Sequence, residues 1–415
     1  MFKLNFDIKK HKLDNGLEIL TIKKDTQISS INVGIKVGAM NESMKQKGLS
    51  HFIEHMLFKG TNNRDNEQLN YELEALGGEY NAYTEYNSTV YTISCLTEEL
   101  KNAVELLGDM ITSANFPEDE IERERGVILA EIRTSKDDIE DLSFKRVNEI
   151  AFEKSPLRID VTGIEEEVRK FNKNDIVKFY KKYYSPKNAL VTMVSSFEHD
   201  EAKKIIEKEF GSWSGEEIEE VKVVEENNKS VKVTSYKNDM EQSTVIYLYT
   251  FYDLDKKYEL PLRILNHRLG ESSNSLLFRE IREKRGLAYD IYTQLDMTKY
   301  IKTLYIYTAV AEDDVEETIK AIDETLDNIL KEKIVIGDRD LDIMKKVHKT
   351  AVISTLEDSA ELCNYILHQE LEDEDIFEFV KDMESLNNLN KGRIDEVSKL
   401  VLKDPTIHIL RATKE

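Results

Sequence analysis

The chain has 415 residues, 40% of them apolar, which is enough for a sizeable core and, by length, two to four domains, with two as the first expectation. Asp and Glu number 81 against 58 Lys and Arg, and the formal charge of −23 argues against nucleic acid and anionic membranes as partners and favours cationic ones. No apolar run approaches the roughly 18 residues that cross a bilayer, and the N-terminus MFKLNFDIKKHKLDNG lacks the apolar stretch of a signal peptide, so a soluble cytoplasmic protein is expected. Cys95 and Cys363 stand far apart and read as buried free thiols.

In chain order, residues 1–45 read as extended segments: LEILTIKK and SSINVGIKVGA are rich in β-branched residues, and Asp14-Asn15-Gly16 makes a turn before the first. Helical periodicity follows over 48–60, 66–76 and 97–115, with a strand pair in EYNAYTEYNSTVYTISCL between the second and third. Further helices are predicted over 117–134, 140–152 and 173–183, then a buried strand ALVTMVSS and a helix over 199–209. These elements define a mixed α/β domain over 1–212. Gly, Ser and an acidic run break the pattern in GSWSGEEIEEVKVVEENNKS, so a linker is expected over 213–230 and a second domain over 231–415. The order then restarts with a strand in STVIYLYTF, helices in KKYELPLRILNHRL and SLLFREIREKRG, strands in LAYDIYTQ and TLYIYTAV, and an amphipathic helix over 312–332, a succession that points to internal duplication.

The stretch GLSHFIEHMLFKGT, residues 48–61, carries the chemistry. On a helix, Leu49, Phe52, Ile53, Met56 and Leu57 form one apolar stripe, and His51, Glu54, His55 and Phe58 lie opposite. A single histidine on a polar face is ordinarily just solvated. Two histidines four positions apart can instead reach one Zn²⁺ at about 2.0–2.1 Å, with Glu54 beside them to take a proton from water. Such a site needs a third protein ligand. In FPEDEIERERGVILAEIRT, Pro117 suits a helix start, Ile121, Ile128 and Ile132 define the apolar stripe, and Glu124 and Glu131 fall within it or at its edge. Glutamates placed there need a cation or a hydrogen-bonded network, unless the face is simply wet. Glu120 points much the same way, and periodicity does not choose among the three.

The His-x-x-Glu-His pattern, followed by Glu131, resembles the inverted zinc motif of the insulinase/pitrilysin metallopeptidases. LDNGLEI and VGAMNESMKQKGLSHFIEHMLFKGT resemble that family's N-terminal signature, LGGEYNAYTEYNSTVYTISC its active-site edge strand, and REIREKRGLAYDIY its C-terminal motif. The nearest likeness is to the short branch typified by the mitochondrial processing peptidase and its bacterial relatives. The resemblance implies an α+β fold of two related domains, each a mainly antiparallel sheet packed with helices, forming half of a clamshell. It implies one zinc per chain held by His51, His55 and Glu131, with Glu54 as general base and Glu124 supporting the site. It further implies substrate contacts near the scissile bond from Arg282 and Tyr289, and a peptide-binding edge at Asn81, Ala82 and Tyr83. Taken alone, Arg282 reads as a solvated charge, Tyr289 as a core aromatic, and 79–94 as an ordinary half-buried hairpin. GESSNSLLF, residues 270–278, departs from the family's more glycine-rich run. The implied activity is zinc-dependent endopeptidase action on extended peptides or unfolded precursor segments, by a homodimer or a pair with a paralogue. The alternative is a non-catalytic scaffold or peptide-binding subunit.

Overall fold

The strand-forming runs of the first half meet in one sheet and those of the second half in another. The computed structural model describes residues 5–218, 222–334 and 336–413, so residues 219–221 of the expected linker lie outside the described residues. Contacts divide the chain into two compact units.

Unit 1 comprises Met1–Arg133, Asp160–Lys222 and Val352–Glu378. Its strands β1 (Phe6–Lys12), β2 (Glu18–Lys24), β3 (Ile28–Ile35), β4 (Glu79–Thr84), β5 (Thr89–Leu96) and β6 (Ala189–Ser195) align in the order β1-β2-β6-β3-β5-β4. Only β2 and β6 run parallel; the other neighbours are antiparallel. The helices that matter for the site are α1 (Leu49–Met56), α2 (Asn66–Ala75), α3 (Leu100–Ser113) and α4 (Glu118–Asp137). Ile31, Val33 and Ile35 of β3 join α1 and α3 in the main core. The alternate residues Ser30 and Gly34 face the helix Ser359–Leu371, whose Cys363 lies against Ser30 and Thr192. Both faces of the sheet are thus covered, which is why β6 is buried along its whole length. Both cysteines are buried and free.

Unit 2 comprises Thr134–Ile159, Val223–Ala351 and Phe379–Glu415. Helix α5 (Ile139–Ala151) packs on this unit's sheet. The strands β7 (Lys232–Lys237), β8 (Ser243–Thr250), β9 (Ala288–Met297), β10 (Lys302–Val310) and β11 (Thr406–Ala412) align as β7-β11-β8-β10-β9, with only β7 and β11 parallel. Strands β2 to β6 repeat this order, parallel pair included, as β2-β6-β3-β5-β4. The duplication expected from the sequence is therefore present as topology, with β1 an addition to the first sheet. In both sheets the third strand of the repeat, β4 or β9, forms one edge.

The units do not follow a single cut in the sequence. The chain passes from unit 1 to unit 2 at Lys222–Val223, inside the stretch read as a linker, but α5 from the first half belongs to unit 2 and Ser359–Leu371 from the second half belongs to unit 1. An amphipathic helix covers whichever sheet face matches its apolar stripe, and periodicity does not say which sheet that is. The segments predicted as ordinary helices near 267–284 contain wide π-type turns at His267–Glu271 and Phe278–Lys284.

The start of α1 is fixed from outside the helix. The buried Glu42 carboxylate accepts N–H groups from Gly48 at 2.9 Å and Ser50 at 2.6 Å, satisfying amides that the first turn leaves unpaired. Burial pushes the Glu42 carboxyl up to about 7, against the pull of those amides and of Lys47. Gly48 takes φ 103°, and the loop at Gly163, φ 90°, crosses it so closely that a Cβ on Gly163 would lie 2.4 Å from both the Lys47 carbonyl oxygen and the Gly48 Cα. The helix ends at Met56 rather than at residue 60, since the chain turns away through Gly60 at φ 128°.

Gly163→Ala combines a left-handed backbone with a clash against main chain. It is expected to destabilise by more than ~2 kcal/mol in urea unfolding, whereas Gly77→Ala, at φ 63° with nothing within 4 Å, costs about 1 kcal/mol. Equal losses from the two would contradict this account of the crossing.

Candidate metal centre

Core packing aims the motif. Leu49, Phe52, Ile53 and Met56 are at most 1% exposed, which locks the rotation of α1 and brings the opposite face against α4 rather than into water. His51 is only 8% exposed, so ordinary solvation does not describe it. The ring centroids of His51 and His55 lie 4.6 Å apart, edge to face. Donor atoms of His51, Glu54 and His55 all fall within 4.8 Å of one another, the one such cluster among the described residues.

Helix α4 buries Ile121, Ile128 and Ile132, the predicted stripe, together with Leu129. That rotation sorts the three glutamates. Glu131 Oε2 lies 3.8 Å from Nε2 of His51 and 3.8 Å from Nε2 of His55. Ligand atoms around a tetrahedral zinc stand about 3.4 Å apart, so each of these two distances exceeds that by only a few tenths of an ångström. Glu124, 6% exposed, accepts from His55 Nδ1 at 3.0 Å and from Lys59 Nζ at 2.9 Å. Glu120 is turned to Arg123 at 2.5 Å and takes no part. Glu131 itself is half exposed and makes no demand for burial; the buried glutamates of the stripe are Glu120 and Glu124.

The charges fit a cation. Burial, then the neighbouring His55, lowers the pKa of His51 to about 4, so its imidazole is neutral at pH 7, the state that ligates metal. His55 loses affinity for a proton by burial, but the Glu124 hydrogen bond and the charges of Glu54 and Glu131 outweigh that and raise it. Burial opposes ionisation of Glu124, yet the bonds from His55 and Lys59 hold its carboxyl below the usual range. Burial raises Glu54, opposed by a hydrogen bond from Thr84 Oγ1 to its Oε2 at 2.5 Å. Two imidazoles and one carboxylate from two helices are donor types that suit zinc; the second imidazole nitrogen of His55 is tied to a carboxylate, while the buried Nδ1 of His51 has no hydrogen-bond partner among the described residues.

The remaining predicted positions fall in two places. Asn81, Ala82 and Tyr83 lie on β4, which pairs with β5 and with no other strand among the described residues. The Tyr83 side chain is engaged within unit 1: its hydroxyl donates to Asn364 Oδ1 at 2.6 Å and lies 2.8 Å from His368 Nε2, with its ring stacked on that imidazole. Arg282 and Tyr289 come together in unit 2, the guanidinium carbon 4.7 Å from the ring centroids of both Tyr289 and Phe278. Tyr289 is 78% exposed on β9, so the bare reading of it as a core aromatic does not hold. Sequence reasoning missed Glu42, Lys59 and Thr84. Lys59 follows His55 by one helical row, and Thr84 continues the alternation of Tyr80 and Ala82, so both signals were available; Glu42 sits in an irregular stretch and left none.

A duplicated α+β fold with a His-x-x-Glu-His helix and an acidic partner helix defines a class of zinc peptidase architectures. Residues 18–163 match the family model for the insulinase domain, peptidase family M16, and residues 170–346 match that for the peptidase M16 inactive domain. An uncharacterized zinc protease of Rickettsia bellii is 33% identical over 314 residues, 74% of each chain, and the uncharacterized zinc protease YmxG of Bacillus subtilis is 26% identical over 352 residues, 84% of this chain and 85% of that one. The crystal structure of a protease from Helicobacter pylori, 24% identical, superposes with a TM-score of 0.90 over 98% of this chain and all of the other, which shows the fold. The chain belongs to the insulinase family of peptidases, family M16.

His55→Ala and Glu131→Gln are expected to abolish tight zinc binding, measured by metal analysis after dialysis, while Glu124→Gln keeps the ligands and weakens affinity about 10–100-fold. Normal zinc affinity in Glu131→Gln would remove it from the ligand set.

Proposed function

We propose that the chain is a zinc-dependent endopeptidase acting on extended or unfolded peptide segments. One observation carries this reading: a single Glu131 oxygen stands equidistant from Nε2 of His51 and His55, while Glu54, on the same helix as the histidines, is held by a different partner. On this reading Glu131 joins the two histidines as a ligand and Glu54 is left as the base. When bound, zinc supplies a Lewis acid that acidifies water and polarises a peptide carbonyl.

The residues divide the remaining work. His51, His55 and Glu131 hold one zinc per chain, and Glu124, braced by Lys59, keeps the His55 ring turned so that Nε2 faces the site. Glu54 takes the proton of the attacking water at its carboxylate and gives it to the nitrogen of the departing amine. The open edge of β4 at Asn81, Ala82 and Tyr83 accepts a peptide as an added strand, selecting substrates by extended conformation. Because Tyr83 is engaged by Asn364 and His368, its contribution is a backbone one. Tyr289 donates to the developing oxyanion and Arg282 contacts the substrate; loss of one such donor costs about 2.7–4 kcal/mol of transition-state stabilisation. A chain of charge −23 favours peptides that carry Lys and Arg. The working assembly is a homodimer, or a pair with a paralogue, in which Arg282 and Tyr289 of one chain serve the zinc site of the other.

Glu54→Gln is expected to retain one zinc per chain and to lose at least ~100-fold in kcat on an unstructured peptide. Unchanged turnover would remove Glu54 as the base and contradict the peptidase reading built on it, whereas a wild type that cuts no peptide would leave a peptide-binding scaffold. Mixing Glu54→Gln with an inactive Tyr289→Phe protein under conditions of subunit exchange should restore about a quarter of wild-type sites, each with one intact copy of both groups. No recovery would place both groups in one chain's own site.

A further inference from the structure

The general base of a hydrolase must be aimed as well as ionisable, and the half-buried Glu54 side chain has one hydrogen bond among the described residues to aim it, the 2.5 Å bond from the Thr84 hydroxyl. Thr84 is the last residue of β4, and its own backbone is pinned. It pairs with Thr89 across the hairpin, the next residue donates to Ser88 at 2.8 Å, and Ala39 and Met40 donate to the carbonyls of Glu85 and Tyr86 at 3.1 and 2.8 Å. The pleat divides the strand. Tyr80 lies beside Phe58 and Ala82 packs on the core that contains α1, whereas Tyr83 reaches the helix Ser359–Leu371. Thr84 continues the Tyr80 and Ala82 side and so meets α1 at Glu54. The strand edge read above as the peptide-binding edge and the donor that holds the base are therefore one short, rigid element.

We propose that Thr84 is a positioning residue for Glu54, a role that rests on the endopeptidase reading above. Its hydroxyl holds Oε2 and leaves Oε1 as the oxygen presented to water, so a peptide seated on β4 and the aim of the base share one register. The competing account is that the hydroxyl merely satisfies a buried carboxylate. The two differ in what its loss does: misaim lowers the chemical step by about 10–100-fold and leaves substrate affinity and metal alone, whereas a structural role lowers stability and zinc content together.

Thr84→Val keeps the shape and β-propensity of the residue and removes the hydroxyl. The expected result is kcat down by about 10–100-fold with KM within about twofold of wild type, zinc at one per chain and an unaltered melting temperature, and recovery of most of kcat in Thr84→Ser. Thr84→Ala replaces the valine variant if that one does not accumulate as folded protein. Crystal structures of the zinc-loaded wild type and Thr84→Val provide a readout free of turnover: the Glu54 carboxylate should leave its wild-type orientation in the variant. Unchanged kcat, or a loss shared among zinc content, KM and melting temperature, overturns the positioning role. So does an unmoved Glu54 in the variant crystal. If the wild type itself cuts no peptide, the endopeptidase reading fails separately, and the two crystals alone decide whether Thr84 holds Glu54.

Discussion

Three carboxylates and two imidazoles meet where α1 packs against α4, a set of donors suited to a cation. Glu54, Glu124 and Glu131 approach His51 and His55 where core packing has turned α1 against α4; burial raises the cost of the Glu54 charge and the half-exposed Glu131 adds to it. Lys59 answers for Glu124 alone. Glu131 and the two Nε2 atoms are the positions at which a divalent metal would be held. The surroundings make sense as the means of holding that arrangement together: Glu42 caps the start of α1, the Gly48–Gly163 crossing fixes where the helix begins, and β4 grips Glu54 from the side.

The duplicated topology shows what was added to a common plan. Each unit carries the same five-strand order and leaves the same strand at one edge, β4 or β9. The helix after β3 bears His51, Glu54 and His55. At the corresponding place after β8, the helix Glu259–Asn266 buries Leu260, Leu262, Ile264 and Leu265 and carries no comparable pair of ligands. Unit 2 instead places the exposed Tyr289 on its edge strand, as unit 1 places Asn81 to Tyr83, with the half-buried Arg282 against its ring. The histidine–glutamate cluster and the ring-and-guanidinium pair thus stand on different copies of one architecture.

Much of this was legible because it was local. The apolar stripe of α1, the four-residue spacing of the histidines, the hairpin at β4 and β5 and the restart near residue 231 are all short-range patterns, and the structure keeps each of them. What was not legible depends on distant contacts. Periodicity gives the direction of Glu120, Glu124 and Glu131 about a helix axis but not which of them meets a histidine; the Arg123 and Lys59 partners decide that. The ends of α1 are set by Glu42 and Gly60, not by its own apolar pattern. The unit to which α5 and Ser359–Leu371 belong is decided by which sheet face they cover. β11, in the interior of its sheet, pairs across most of the second half of the chain and stood outside the predicted elements, as did β7 beside it.

The central claim, that His51, His55 and Glu131 hold a metal while Glu54 stays free of it, is tested most directly by anomalous diffraction from zinc-loaded crystals on both sides of the zinc absorption edge. The account predicts one zinc peak per chain, within about 2.0–2.2 Å of Nε2 of both histidines and of a Glu131 oxygen, with Glu54 outside bonding distance of the metal. A peak bonded to Glu54 in place of Glu131, or no peak between α1 and α4 at saturating zinc, would contradict it.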